Sequence, residues 1–224
     1  MTLTPAERMK IPRKNMKEQP PEIRVKNFKE VPYGYTEDEA VEEATRCIGC
    51  KVPQCVSGCP VEIDIPKFIQ QIADRDFDAA IETVKKTNLL PAVCGRVCPQ
   101  ETQCEIKCIL GKKHTPVAIG NLERFIADYE RKKKEIAIPK IKAKTGHKVA
   151  VVGAGPAGLT VAGDLTKMGH SVTVFEALHR LGGVLMYGIP EFRLPKEILE
   201  SEATFLEKLG VEFKVNSVIG MQYS

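Results

Sequence analysis

All eight cysteines of this 224-residue chain lie in one stretch, and their spacing is typical of metal ligands. They form two groups of four: Cys47-x2-Cys50-x4-Cys55-x3-Cys59-Pro60 and Cys94-x3-Cys98-x5-Cys104-x3-Cys108. The first group is the bacterial ferredoxin run C-x2-C-x2-C-x3-C-P with two extra residues in its middle. The second group also contains a Cys-Pro pair, at Cys98 and Pro99. The pattern therefore predicts two 4Fe–4S clusters.

The order of the cysteines predicts how the two groups share their ligands. Three closely spaced thiolates can ligate three irons of one cubane, and the fourth cysteine of a ferredoxin run ligates the other cluster. Cys59 is therefore expected on the second cluster, and by symmetry Cys108 returns to the first. The first cluster is predicted to take Cys47, Cys50, Cys55 and Cys108. The second is predicted to take Cys59, Cys98, Cys104 and one further ligand, for which Cys94 is a candidate.

Glu123 competes with Cys94 for that last position. It lies beside the apolar stripe that Ile119 and Ile126 form on a predicted helix. A carboxylate there is costly unless it is paired or bound to a metal. The simpler interpretation is a glutamate at the edge of the stripe that reaches solvent, and the residues alone leave both open.

Structural zinc and disulfides are the alternative uses of these cysteines. Zinc sites usually present two C-x2–4-C knuckles per metal, and only Cys47 and Cys50 form a C-x2-C pair. Disulfides are rare in a reducing cytoplasm. The N-terminus lacks the apolar core of a secretory signal, so we expect a cytoplasmic protein.

The composition argues against nucleic-acid and membrane functions. The net charge is only +4, acids and bases are mixed, and there is no tryptophan. A nucleic-acid surface would need a basic face with interleaved aromatic residues. No apolar run approaches the roughly 20 residues that span a bilayer. We therefore expect neither partner.

A second chemistry-bearing motif follows the cysteines. The G-x-G-x-x-G motif between a predicted strand, 147–152, and a predicted helix, 156–168, consists of Gly153, Ala154, Gly155, Pro156, Ala157 and Gly158. Its glycines allow a tight turn, and a pyrophosphate rests on the helix N-terminus. Glu176 follows the next predicted strand, 171–175, where an acid accepts a hydrogen bond from a ribose hydroxyl and disfavours a 2′-phosphate. The unit predicts FAD or NAD rather than NADP at this site.

Two features beyond Glu176 concern a flavin. Gly182 and Gly183 complete an E-x5-G-G pattern that resembles flavoproteins with two dinucleotide sites, and the alternative is a plain flexible loop. Arg193 is either a cation near the flavin or a surface arginine. The four histidines form no ligand or triad pattern, so any chemistry must belong to cofactors.

Apolar periodicity and capping residues predict the elements that position these motifs. Residues 1–35 are predicted to be an extended arm. Thr36 and Glu39 form a capping box that opens a helix, and further helices are predicted after Asp64, over 77–87 and over 117–134. Residues 36–138 are thus an α-helical iron–sulfur domain. Residues 139–146 are a predicted linker.

The remaining residues, 147–224, alternate strand and helix. A strand–helix–strand unit is followed by a predicted helix, 196–209, and a short strand near 211–215. This order indicates a parallel sheet and an α/β Rossmann-like unit.

Five segments together resemble one family. They are Cys47-Ile-Gly-Cys50, Cys59-Pro-Val-Glu-Ile-Asp-Ile-Pro66, Cys94-Gly-Arg-Val-Cys98, Val149-Ala-Val-Val-Gly-Ala-Gly-Pro-Ala-Gly158 and Tyr187-Gly-Ile-Pro-Glu-Phe-Arg-Leu-Pro195. They resemble the N-terminal half of the small (β) subunit of NADPH-dependent glutamate synthase and of the large subunit of ferredoxin:NADP transhydrogenase (sulfide dehydrogenase). The N-terminal region of dihydropyrimidine dehydrogenase is more distantly similar.

The resemblance implies an oxidoreductase. In the family, NADPH reduces FAD, and two 4Fe–4S clusters relay electrons to a large FMN-containing or ferredoxin-type partner subunit. The second cluster takes three cysteines and a Gln or Glu from the following helix. Glu123 falls at that position, which favours it over Cys94. Glu176 and Arg193 likewise match the family's FAD ribose and flavin contacts.

One difference from the family is large. Family subunits continue into an NADPH-binding domain and into the strands that complete the FAD fold, and this chain lacks them. The resemblance therefore implies an incomplete FAD-binding unit. Two alternatives stay open: an electron-transfer and docking module with neither flavin nor activity of its own, and a zinc-stabilised interaction domain.

Overall fold

The computed structural model describes residues 3–133 and 138–222. The chain divides into two compact units. The first comprises Met1–Asn27 and Val31–Lys133, and the second comprises Phe28–Glu30 and Lys134–Ser224. Within the described residues, no helix is both long enough and apolar enough to cross a membrane.

The first unit is helical apart from one strand pair. Its helices are α1 (Pro5–Arg8), α2 (Pro21–Arg24), α3 (Glu37–Thr45), α4 (Gln54–Ser57), α5 (Ile65–Ala73), α6 (Phe77–Lys85), α7 (Pro91–Val97) and α8 (Ile119–Arg131). Strand β1 (Lys17–Glu18) pairs antiparallel with β2 (Pro32–Gly34). A 3₁₀ turn, Gln100–Thr102, lies in the second cysteine group, and a second, Ile109–Lys112, directly follows it. The N-terminal arm therefore holds short helices and a strand pair where we predicted extended chain.

Local signals place the longer helices of this unit. The side chain of Thr36 accepts the Glu39 backbone N–H, and the Glu39 carboxylate accepts the Thr36 N–H, which confirms the predicted capping box. Asp64 likewise accepts the Lys67 N–H at the start of α5. The apolar stripes of α5, α6 and α8 then pack into one core that includes Phe68, Ile69, Ile72, Ala80, Ile81, Val84, Leu122 and Ile126.

Helix α7 was not predicted, because it has only seven residues and contains Gly95, a poor helix former. It begins at Pro91 directly after Leu90 and ends before Cys98. The predicted helix over 117–134 is observed as α8, and its last predicted residue lies outside the described residues.

The second unit is a three-stranded parallel sheet with helices. Its elements are β3 (Lys148–Val152), α9 (Pro156–Lys167), β4 (Ser171–Phe175), α10 (Val184–Tyr187), α11 (Lys196–Leu209) and β5 (Glu212–Lys214). The strand order is β3-β4-β5, which confirms the predicted strand–helix–strand unit and parallel sheet.

The predicted linker is bound to the second unit. Lys142 N donates to Lys167 O and Thr145 N donates to Gly169 O, each over 3.0 Å. This part of the linker therefore follows the end of α9 before it enters β3.

Candidate iron–sulfur and nucleotide sites

Four cysteines of the first unit line one apolar pocket. They are the four assigned to the first cluster: Cys47, Cys50, Cys55 and Cys108. They reach it from different places, since Cys47 and Cys50 follow α3, Cys55 lies in α4 and Cys108 precedes a 3₁₀ turn. Ile65 and Ile69 of α5 and Ile119 of α8 form part of the wall. The helical core thus holds two distant segments of the chain around one space.

Burial raises the pKa of Cys47, Cys50 and Cys55, so these three thiols stay protonated when no metal is bound. It raises the pKa of Cys55 to about 12, and the neighbouring thiols Cys47, Cys108 and Cys50 act in the same direction. Because the thiolate is the metal ligand, iron must displace these protons when it binds.

Glu123 and the cysteines Cys59, Cys98 and Cys104 form a second group of candidate ligands. Cys104 lies within electrostatic range of both Cys59 and Glu123, and Glu123 lies within range of Cys98. Glu123 is only 6% exposed. The simpler interpretation, in which Glu123 lies at the edge of the apolar stripe and reaches solvent, is therefore wrong.

The Glu123 carboxylate has one neutral partner. Asn88 Nδ2 donates to Glu123 Oε1 over 2.6 Å. Burial raises the pKa of Glu123 to about 8, and the Cys98 sulfur acts in the same direction. A buried carboxylate is costly unless a cation or metal compensates its charge. The donor chemistry of this second group of candidate ligands thus fits a metal cluster.

Cys94, the competing ligand, hydrogen-bonds to a neighbouring cysteine. Its thiol donates to Cys98, which lowers the pKa of Cys98 to about 7 and raises that of Cys94. The described residues contain no group of three or more His, Cys, Asp or Glu side chains that could hold a single metal ion. In a four-iron cluster each protein ligand binds a different iron.

Close packing of α7 against α8 brings Cys94 and Cys98 to Glu123. A Cβ added to Gly95 would lie 2.5 Å from Arg124 N, so only glycine permits this approach of the two backbones. Nη2 of Arg96 on α7 donates to both carboxylate oxygens of Asp128 on α8, over 2.9 and 2.7 Å.

A buried ion pair that we did not predict connects the N-terminal arm, the end of α3 and the segment before α8. Arg46 Nη1 lies 2.5 Å from Glu43 Oε1, and their side chains are 2% and 0% exposed. Glu43 also accepts the N–H groups of Lys14 and Ala118. Arg46 donates to the carbonyl groups of Ile11, Thr115 and Pro116. The only signal in the sequence is an acid and a base three residues apart on a helix, which usually lie on the surface.

Two arginines of the N-terminal arm contact the cysteine segments. Arg8 Nη1 donates to the carbonyl of Cys47 over 2.7 Å. Arg13 forms an ion pair of 2.9 Å with Glu105, the residue after Cys104, and Glu105 also accepts the Gly120 N–H. The arm thus ties both cysteine groups to the helical core.

The glycine motif of the second unit forms a tight turn. A Cβ added to Gly158 would lie 2.0 Å from Gly153 O, whereas one added to Gly155 would meet no atom within 4 Å. There is therefore no space for a side chain at Gly158, whereas the space beside Gly155 is empty. Gly155 is the residue before α9, which is where a helix N-terminus receives phosphate.

The other predicted nucleotide residues meet at this turn, except for Arg193. Glu176 is buried, and its two oxygens accept the N–H groups of Ala154 and Leu178 over 2.7 and 2.9 Å. Gly182 N donates to Ala154 O over 2.8 Å, and a Cβ added to Gly183 would lie 2.9 Å from Gly155 Cα. Arg193 lies exposed in the loop between α10 and α11.

Two family models match successive parts of the chain. The family model described as dihydropyrimidine dehydrogenase domain II, 4Fe-4S cluster, matches residues 24–135. The model described as NAD(P)-binding Rossmann-like domain matches residues 151–208. Among solved structures, histamine dehydrogenase from Rhizobium sp. 4-9 is 20% identical, with 78% of this chain and 23% of that chain covered and a TM-score of 0.35, a likeness too weak to support an argument.

Curated relatives are more similar. The NAD-dependent dihydropyrimidine dehydrogenase subunit PreT of Escherichia coli O157:H7 is 44% identical, with 81% of this chain and 44% of the relative covered. The glutamate synthase [NADPH] small chain is 39% identical in Escherichia coli K12, with 90% of this chain and 43% of the relative covered. The Bacillus subtilis small chain is also 39% identical, with 95% and 45% covered.

The chain therefore spans less than half the length of these curated relatives. The matches confirm the resemblance predicted from the motifs. The chain belongs to the family of the 4Fe–4S domain II of dihydropyrimidine dehydrogenase, and it joins that domain to an NAD(P)-binding Rossmann-like domain.

Proposed function

We propose that this chain is the iron–sulfur flavoprotein portion of an NAD(P)H-dependent oxidoreductase similar to the glutamate synthase small chain. Two 4Fe–4S clusters and FAD would together supply electron transfer between the pyridine nucleotide and a partner subunit. The observation that carries the proposal is the gathering of Cys47, Cys50, Cys55 and Cys108 around one apolar pocket inside the matched 4Fe–4S domain.

Each cluster has its own proposed ligand set. The first comprises Cys47, Cys50, Cys55 and Cys108. The second comprises Cys59, Cys98, Cys104 and Glu123. The apolar wall of the first pocket limits the access of water, and Arg8 holds the Cys47 carbonyl and so the start of the first cysteine loop.

The Rossmann-like unit is proposed to bind FAD. The turn from Gly153 to Gly158 would receive the pyrophosphate at the start of α9. The Glu176 oxygens each accept one backbone N–H, and a carboxylate oxygen has a second lone pair left for a ribose hydroxyl. The partner would be a large FMN-containing or ferredoxin-type subunit.

Metal analysis tests the clusters against zinc. We expect about eight irons per chain after anaerobic purification, because two cubanes hold four each. Replacing Cys108 with alanine should reduce iron to about four per chain, since the first pocket then lacks one ligand. Stoichiometric zinc in a colourless protein would contradict the proposal and favour the zinc-stabilised interaction domain.

A glycine substitution tests the nucleotide turn. We expect Gly158→Ala to abolish the retention of FAD during gel filtration, because its methyl group would overlap Gly153 O and push α9 away from the turn. The absorbance ratio of flavin to protein measures this. Gly111→Ala is the matched control, since its methyl group would meet only Pro116 at an ordinary 3.6 Å. If the unaltered chain also fails to retain saturating FAD, the docking module without flavin is the better description.

A further inference from the structure

The buried side-chain amide of Asn88 contacts the start of α7, Cys94 and Glu123. It lies between α6 and α7 and is 5% exposed. Its Oδ1 accepts the Leu90 N–H over 3.0 Å, at the residue before α7, and the Cys94 sulfur lies 3.7 Å from the same oxygen. Its Nδ2 donates to Glu123 Oε1 on α8 over 2.6 Å.

The partners determine the orientation of this amide. A backbone N–H can only donate, so the carbonyl side of Asn88 must face Leu90. The NH₂ side must then face Glu123, which as a carboxylate can only accept. Oε1 of Glu123 is therefore held by a neutral donor, while Oε2 has no such partner among the described contacts of this carboxylate.

We propose that Asn88 is a positioning residue for the second cluster: it holds Oε1 of Glu123, so that Oε2 is the oxygen presented to iron. This inference rests on the proposed ligation of that cluster by Glu123. The same amide oxygen lies 3.7 Å from the sulfur of Cys94, the alternative fourth ligand. A Cys94 thiolate would therefore face another acceptor, and this favours Glu123 as the ligand.

The hydrogen bond from Asn88 to Glu123 should also affect the reduction potential of the second cluster. A donor to a ligand atom stabilises the extra negative charge of a reduced cluster, and outer partners of metal ligands tune affinity in this way. Loss of the Asn88 donor should therefore make the second cluster harder to reduce. A residue that only supported the fold would have no selective effect on one potential.

The substitution Asn88→Asp tests the donor side of the amide separately from its acceptor side. The substitution keeps an acceptor for the Leu90 N–H but replaces the donor to Glu123 with a second negative charge. In the full chain, purified anaerobically, we expect loss of the second cluster or a more negative midpoint potential for it, measured by iron content and by EPR during a redox titration. The first cluster should be unchanged.

Asn121→Asp is the matched control on α8. The Asn121 amide donates to Tyr35 Oη over 3.2 Å rather than to Glu123. Both clusters should keep their signals and potentials in this variant. If Asn88→Asp likewise leaves both potentials at their original values, the inference is wrong.

A double substitution tests whether Asn88 acts through Glu123. In Asn88→Asp combined with Glu123→Gln, the new carboxylate accepts from the new amide, so the hydrogen bond is restored in the opposite direction. The amide oxygen is left for iron, and we expect the second cluster to return. No recovery would show that Asn88 only supports the start of α7. If Glu123→Ala keeps both clusters, the proposed ligation itself fails, which is a separate result.

Discussion

Replacing Glu123 with alanine is expected to remove or convert one of the two clusters. The side chain is buried beside Cys98 and within electrostatic range of Cys104, so no solvent ligand can readily take its place. Iron content should fall from about eight to about four per chain, or to about seven if a three-iron cluster remains. Metal analysis and EPR of the protein before and after reduction distinguish these outcomes.

Cys94→Ala provides the matched comparison. Cys94 lies beside Cys98 and Asn88, but as a proposed non-ligand its loss should leave about eight irons and both EPR signals. If Cys94→Ala loses a cluster while Glu123→Ala keeps both, the fourth ligand is Cys94 and the ligand set must be reassigned.

The second large effect is expected from the buried ion pair of Arg46 and Glu43. Arg46→Ala should lower the stability of the first unit by about 3–5 kcal/mol, because it leaves the Glu43 carboxylate buried without a counter-charge. It also removes the donors to the carbonyl groups of Thr115 and Pro116. The urea midpoint, followed by far-UV circular dichroism and by cluster absorbance under anaerobic conditions, measures the loss.

Arg75→Ala is the control for this ion pair. Arg75 pairs with Asp38, and both side chains are exposed, at 51% and 87%. Exposed pairs contribute about 0–1 kcal/mol, so the urea midpoint should move little. Equal urea midpoints for Arg46→Ala and Arg75→Ala would mean that the buried ion pair does not stabilise the first unit.

The elements with local signals could be predicted from the sequence. The capping box at Thr36, the cap at Asp64 and the apolar stripe of α5 each depend on residues within one or two turns. The strand–helix–strand unit around Gly153 was predictable for the same reason. Helix α7 escaped prediction because its position depends on Asn88 before it and on packing against α8 after it.

The sequence by itself determined the chemistry that is available: two cysteine groups, a dinucleotide turn and an acid after its second strand. These are patterns of near neighbours, whose spacing limits their geometry. Only the tertiary structure decided which groups meet. It buries Glu123 against Asn88 and inserts the Arg46 guanidinium among carbonyl groups of distant loops. The physical reason is that burial and charge compensation depend on contacts between segments far apart in the chain, and no local pattern records them.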